Sequence, residues 1–334
     1  MSASLTTTET QSGASKSPEA HALPIVSVII PVRNDAQRLA VCLASLRQQD
    51  YSADRCEVIV VDNGSSDESR DVARAYGARV LYYPNLRVGA LRNRGVEQAQ
   101  GEILAFVDSD HEVPTEWIRS GVQQLAADSG RAIIGSPCLA PANGTWVQRG
   151  WELHRLRDRQ RRETTWLGTG NMFLRRADFD RLGGFREDLV AAEDVDLCVR
   201  FAAQSGRVIS DMRVANVHHG EPRTLWQFFW KEYWRGSSGI RAFIAHGMPL
   251  HELPSLVWPL YHLLAGIALV AALVYGIWVG SLLVPFTALV LFVAPALLLS
   301  VKTCWQVRRA ASIPALAVLY LTYGLCRAAA LFKR

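Results

Sequence analysis

Apolar runs alternate with polar, turn-rich stretches through the first three-quarters of the chain, after which charge almost disappears. Val26 to Ile30 is a β-branched run ended by Pro31, and Ala36 to Gln48 sets Leu39, Leu43 and Leu46 at helical spacing. Glu57 to Val61 predicts a second strand, stopped by the turn-forming Asp62-Asn-Gly-Ser-Ser, and Asp67 to Tyr76 predicts a helix. Val80 to Tyr83, Ala90 to Gln98 and Ile103 to Val107 continue as strand, helix and strand. Such alternation predicts parallel strands with helices on both faces, an α/β fold. Further on, Leu167 to Arg176 reads as a Gly-rich turn entering a strand and Arg207 to Val217 as another strand. Gly220 to Gly236 reads as an amphipathic helix rich in aromatics and ending basic.

The tail follows a different pattern. From Val257 to Val301, 45 residues contain no Asp, Glu, Lys or Arg. A helix rises about 1.5 Å per residue, so about 20 such residues cross a hydrocarbon core. Two spans are expected, near 257–279 and 282–301, with Gly280, Ser281 and Pro285 marking the turn. Lys302, Arg308 and Arg309 follow, and a positive cluster favours the cytoplasmic side. The hairpin therefore predicts a soluble domain facing the cytoplasm on the inner membrane. Ile313 to Phe332 is a third apolar stretch interrupted by Arg327, and both a third span and a tilted interfacial helix fit it.

Three regions result: residues 1–23, rich in Ser, Thr and Ala and expected to be disordered; a soluble domain over 24–247; and a membrane region over 255–334. The six cysteines form no close pairs and suggest neither a disulfide framework nor a zinc site. A net charge of +5 suits an anionic membrane surface or phosphate-bearing substrates and does not single out nucleic acid.

Candidate chemistry begins at Asp108 and Asp110, which follow the apolar strand on the same side of an extended chain. Hard cations such as Mg²⁺ or Mn²⁺ prefer carboxylate oxygens, and ligands of α/β folds gather at the carboxyl ends of strands. Asp62 ends the neighbouring strand, so the three carboxylates can face one crevice of the kind a nucleotide needs. Turn formation and helix capping are the alternative uses of the same residues.

The segments Val-Ser-Val-Ile-Ile-Pro-Val-Arg-Asn, Val-Ile-Val-Val-Asp62-Asn-Gly-Ser-Ser-Asp and Gly89-Ala-Leu-Arg-Asn-Arg-Gly, followed by Phe-Val-Asp108-Ser-Asp110, resemble the GT-A fold family 2 glycosyltransferases. The likeness covers about Val26 to Gly236. It implies a GT-A, Rossmann-like domain that is inverting and metal-dependent, with a nucleotide-diphosphate sugar as donor, a UDP-sugar first among them. By the same likeness Pro31 and Arg33 border the nucleotide pocket, Asp62 holds the base, Asp108 contacts the ribose side, and Asp110 holds the metal with His218; His219 ranks behind His218. The Glu193-Asp194 pair resembles the family's catalytic acid pair, with Asp194 as base and Glu193 orienting the site, whereas Asp196 is read as structural. Val32-Arg33 departs from the family's usual aromatic residue before Asn, and Asn63 stands where a second Asp is common.

The aromatic helix and the arginines of 149–162, namely Arg149, Arg155, Arg157, Arg159, Arg161 and Arg162, suit a membrane surface or a lipid phosphate; a solvated helix face is the other reading. Lys231 and Arg235 are candidates for a phosphate or for interfacial anchoring. The expected reaction is sugar transfer to a hydroxyl of a lipid-linked glycan acceptor in polysaccharide or glycolipid synthesis. Transfer straight to a polyprenyl phosphate, and a non-catalytic nucleotide- or glycan-binding scaffold, are the alternatives. A processive polymer synthase is disfavoured, because Lys231-Glu-Tyr-Trp-Arg only loosely matches the Gln-x-x-Arg-Trp motif of those enzymes.

Overall fold

A computed structural model describes residues 23–128, 130–156, 161–245 and 253–332, so the expected disorder of the N-terminal segment and two of the arginines, Arg157 and Arg159, lie outside the described residues. The chain opens with β1 (Val26–Val32), α1 (Ala36–Leu46), β2 (Cys56–Asp62), α2 (Ser69–Ala75), β3 (Arg79–Tyr82), α3 (Val88–Glu97) and β4 (Ile103–Val107). Next come β5 (His111–Glu112), α4 (Trp117–Ala127), β6 (Ala132–Gly135), α5 (Trp146–Arg155), β7 (Arg162–Glu163), β8 (Asn171–Arg175), α6 (Arg176–Leu182), α7 (Glu193–Ala203), β9 (Arg207–Ser210) and β10 (Val217–His218). Four long helices close the chain: α8 (Leu225–Ala245), α9 (Leu253–Val279), α10 (Leu283–Gln306) and α11 (Ile313–Ala330).

Eight strands form one sheet in the order β3-β2-β1-β4-β8-β6-β9-β7. The first four are parallel, as the alternation of strands and helices predicts, and β8 then runs antiparallel to both β4 and β6. Along β1, Val26, Val28, Ile30 and Val32 enter one core and Ile29 the other, the period-two alternation of a strand buried on both faces. Leu39 and Leu43 of α1 with Trp117 and Ile118 of α4 cover the first face; Leu91 of α3, Phe179 of α6 and Phe201 of α7 cover the second. Together these layers make a mixed α/β Rossmann-like GT-A core.

Strand order reverses at β1: β2 and β3 extend the sheet to one side and β4 to the other. Pairing of β1 with β4 ends at Ile29↔Phe106, whereas pairing with β2 continues to Val32↔Asp62. Pro31, which has no N–H to donate, sits where β1 has already parted from β4. A crevice thus opens at the carboxyl ends of β1 and β4, where doubly wound sheets bind ligands.

One expected strand is divided. Arg207 to Val217 is not continuous, because Asp211 ends β9 by accepting from the Arg213 backbone N–H and starts a short 3₁₀ turn over Met212–Val214. The separate β10 then pairs antiparallel with β5 and sets His218 opposite His111.

By length and composition, α9, α10 and the segment Ala310–Ala330 are each able to cross a membrane. Leu316, Leu319 and Tyr320 of α11 pack with Val147 and Trp151 of α5, Phe228 of α8, and Ala296 and Cys304 of α10, a third core joining the sheet domain to the apolar helices. Gly150 lets α5 and α11 approach closely, since a Cβ there would lie 2.7 Å from Leu319 Cδ1.

Candidate active site

At the end of β4 the chain turns through Asp108-Ser-Asp110, with the His111 N–H donating to the Asp108 carbonyl. Asp108 Oδ1 accepts from Arg92 Nη2 at 2.7 Å, and Arg92 Nη1 donates at 2.7 Å to Glu193 Oε1 at the start of α7. Arg92 is buried on α3 and therefore ties the end of β4 to the first turn of α7. Burial works against its charge, but Asp108 and Glu193 more than compensate and raise its pKa.

Asp194, the next residue, borders the same cleft as Asp108 and Asp110. Its Oδ1 accepts from the Val195 N–H at 2.8 Å. Desolvation and the neighbouring Glu193 push its carboxyl up to about 6. Ala192 immediately before α7 is held at φ +66°, the left-handed region that costs a residue with a Cβ. Strained backbone thus directs the acid pair into the cleft.

Opposite, Asp110 meets two imidazoles. His218 Nε2 lies 3.1 Å from Asp110 Oδ2 and His111 Nε2 lies 3.9 Å from Oδ1. Because carbonyl and carboxylate oxygens only accept, Nδ1 of His111 donates to Gly170 O at 2.5 Å and Nδ1 of His218 donates to Glu221 Oε1 at 3.0 Å. The Nε2 atoms of both rings are left toward Asp110, the orientation that outer carboxylate or carbonyl partners give to metal-binding histidines. Burial lowers the affinity of His218 for a proton, but the hydrogen bonds to Asp110 and Glu221 outweigh it and raise its pKa. Burial likewise opposes ionisation of Asp110, yet His218 holds its carboxyl far below the ordinary range. Gly220 passes so close that a Cβ would fall 1.8 Å from Asp110 Oδ2.

These groups line one cleft of about 1080 Å³ that runs from Pro31 on β1 and Arg33 just after it, past Asp110 and Asp194, to Arg235 on α8 and Arg327 on α11. Residues 27–183 match the family described as Glycosyl transferase family 2. The chain is similar to that family over just under half of its length. It is 32% identical over 185 residues to Glycosyltransferase AglE of Haloferax volcanii, an alignment covering 52% of this chain and 60% of that protein. With Pre-mycofactocin glycosyltransferase of Mycobacterium tuberculosis it shares 28% identity over 275 residues, 76% of this chain and 56% of that one. The alignments thus cover less than two-thirds of the length of these curated relatives. Among solved structures it is similar to the mannosyltransferase PcManGT from Pyrobaculum calidifontis, solved with GDP-Man and Mn²⁺. The TM-score is 0.58 at 23% identity, covering 89% of this chain and 87% of that one, which is a likeness of fold.

The donors of this cleft suit a divalent cation. One ligand atom each from Asp110, His111 and His218 lies within 4.8 Å of the others, and two imidazoles with a carboxylate are ligands common to Mn²⁺, Fe²⁺, Co²⁺ and Zn²⁺. The backbone at Gly220 leaves the space that a Cβ would fill.

Of the residues expected from sequence, Pro31, Arg33, Asp108, Asp110, Glu193, Asp194 and His218 all border the cleft. Asp62 lies beneath its wall, fully buried, with Oδ1 accepting from the Gly64 and Ser65 N–H groups and Oδ2 without a protein partner. His219 turns away to Glu112, at 2.8 Å. Asp196 pairs with Arg200 at 2.7 Å. Lys231 pairs with Glu221 at 3.2 Å.

Sequence reasoning missed Arg92, His111, Glu221 and Arg327, whereas Arg155 was among the arginines read as suiting a lipid phosphate. Arg92 stands inside the Gly89–Gly95 segment and His111 directly follows Asp110, so both had a signal in their position. Arg327 reads in sequence only as an interruption of an apolar stretch, but it donates from Nη2 to Glu232 Oε2 of α8 at 2.8 Å.

Proposed function

We propose that the protein is an inverting glycosyltransferase that moves a sugar from a nucleotide-diphosphate donor to a hydroxyl of a lipid-linked acceptor at a membrane surface. The observation that carries this reading is the Asp108–Arg92–Glu193 linkage, which fixes the carboxylates at the end of β4 and the acid pair at the start of α7 on two walls of one cleft.

In this reading Pro31 and Arg33 border the nucleotide, Asp108 faces the ribose side, and Asp62, buried beneath the wall, shapes the base end of the pocket by holding the Gly64 and Ser65 N–H groups. Asp110, His111 and His218 would hold the divalent cation, for which the two imidazoles favour Mn²⁺ over Mg²⁺, and when bound it offsets charge on the leaving diphosphate. Asp194 takes the proton from the acceptor hydroxyl as that oxygen bonds to the anomeric carbon. The bond to the donor diphosphate breaks on the opposite face, and its electron pair leaves with the nucleotide. A base raised to about 6 is ionised at neutral pH yet still basic enough to assist. Glu193, held by its ion pair with Arg92, orients the acid pair.

Membrane placement rests on the three apolar helices and on exposed side chains such as Ile277, Trp278 and Leu282, each more than 80% accessible. The basic Lys302 near the end of α10, with Arg308 and Arg309 between α10 and α11, favours a catalytic domain on the cytoplasmic face of an inner membrane. Residues 24–247 would form the catalytic domain and 255–334 the membrane region.

Thermal shift on detergent-solubilised protein with UDP, GDP, CDP and dTDP, with and without Mn²⁺, tests the donor site beside an Asp110→Ala control. Stabilisation by one nucleotide that requires the cation and is lost in the control is expected. No shift from any nucleotide on folded protein would favour a scaffold. Transfer that survives Asp194→Asn would favour an already ionised phosphate as nucleophile.

A further inference from the structure

The part of the cleft wall built by α5, α8 and α11 is cationic beyond the needs of its own carboxylates. Glu221 is shared by Arg155, Lys231 and His218, and Glu232 by Arg235 and Arg327. At Glu221, among the described residues, two permanent cations, Arg155 and Lys231, therefore share one carboxylate. Two of the arginines keep shielded donors to spare: Arg155 Nε and Nη2 and Arg327 Nε have no hydrogen-bond partner. Leaving guanidinium N–H groups unmatched is costly, and a planar guanidinium pairs best with a phosphate or carboxylate that accepts from two of its nitrogens. Arg327 is moreover placed in the last turn of an apolar helix, where a charge is expensive unless it serves a partner.

Deepening the function proposed above, and resting on it, we propose that Arg155 and Arg327 form a subsite for the phosphate or diphosphate of an amphiphile, separate from the donor diphosphate at Asp110. Both arginines line the cleft, and the apolar surfaces of α9 and α10 begin beside the core that seats α11. The head of the amphiphile would enter between the arginines while its chain remains among the apolar helices. A lipid-linked acceptor and a bilayer phospholipid both present this chemistry.

The test is binding of farnesyl diphosphate to the full-length protein in neutral detergent, followed by intrinsic tryptophan fluorescence, since Trp151 and Trp234 line the same cleft. Farnesol is the comparison ligand. Farnesyl diphosphate should bind at least ~10-fold more tightly than farnesol, and Arg155→Gln or Arg327→Gln should remove most of that difference. Each variant leaves the paired glutamate a remaining cation, Lys231 or Arg235, and Arg327→Lys supplies a second variant that keeps the charge. The thermal shift given by the nucleotide should be unchanged in all of them, which separates failure here from failure of the donor site. Equal affinity for farnesol and farnesyl diphosphate would overturn the proposal. So would an equal loss of nucleotide binding in the glutamine variants, which would assign the arginines to the donor. Competition by phosphatidylglycerol but not phosphatidylcholine would uphold the phosphate site and name the bilayer lipid as occupant; resistance to both would uphold it and name the acceptor.

Discussion

At Asp194 the sign of the pKa shift makes two separable predictions. Only the ionised carboxylate accepts a proton, so kcat/KM for transfer should fall about tenfold per pH unit below a limb near 6, and Asp194→Asn should cost ~10²–10⁴-fold in rate while the nucleotide shift persists. The folded protein also binds the Asp194 proton more tightly than the unfolded chain does. Its stabilising contribution is therefore present below the ordinary carboxylate value and lost as pH rises through about 6. Asp194→Asn should then be more stable than the wild type at pH 8, with the gap closing at pH 4, as measured by urea midpoints; a gap independent of pH would contradict the assignment. Gly220→Ala makes a different test on the opposite wall. A Cβ 1.8 Å from Asp110 Oδ2 must displace that carboxylate, so electron paramagnetic resonance titration should show Mn²⁺ affinity reduced by at least ~10-fold.

Among the elements, α7 depends on contacts that no local pattern announces. Arg92 pairs with both Asp108 and Glu193, and Arg92→Met would leave the buried Glu193 carboxylate unpaired at a cost of roughly 3–5 kcal/mol, seen as a lower denaturation midpoint. Ala192 gives the opposite expectation: Ala192→Gly relieves its φ of +66° and should stabilise by about 0.5–1 kcal/mol, although the looser entry to α7 should lower kcat. These contacts also mark the limits of sequence reading. The strands β1, β2 and β4, with Asp62, Asp108 and Asp110 at their ends, are legible because buried parallel strands are apolar runs and their ends are polar turns. The break between β9 and β10 is not legible, since Asp211 stops the strand through its own side-chain hydrogen bond inside a sequence that still looks extended. His111 escapes notice for a similar reason: only the β5–β10 pairing sets it opposite His218, and that pairing joins residues more than 100 positions apart.

For the whole molecule the question is whether α11 belongs to the catalytic domain or to the membrane, and its packing says both. Leu316, Leu319 and Tyr320 are fully buried against α5, α8 and α10, while Val318 and Leu325 stay more than 40% exposed. A helix with one face in a protein core and another accessible fits a span at the edge of a bundle. The sequence shows its apolar length but not this two-sidedness, because its seats are Gly150 and Glu232, far away in the chain. The coupling has a measurable consequence. Gly150→Val, by pushing Leu319 out of its seat, should loosen α5 from α11 and lower the thermal midpoint of the catalytic domain by several degrees, about 2–4 °C per kcal/mol for a domain of this size. It should leave α9 and α10 able to hold the protein in the membrane fraction through an alkaline carbonate wash. Release of the wild type by carbonate would remove the membrane reading altogether. Retention of both proteins with unchanged melting would show that the third core is not what joins catalytic domain to anchor.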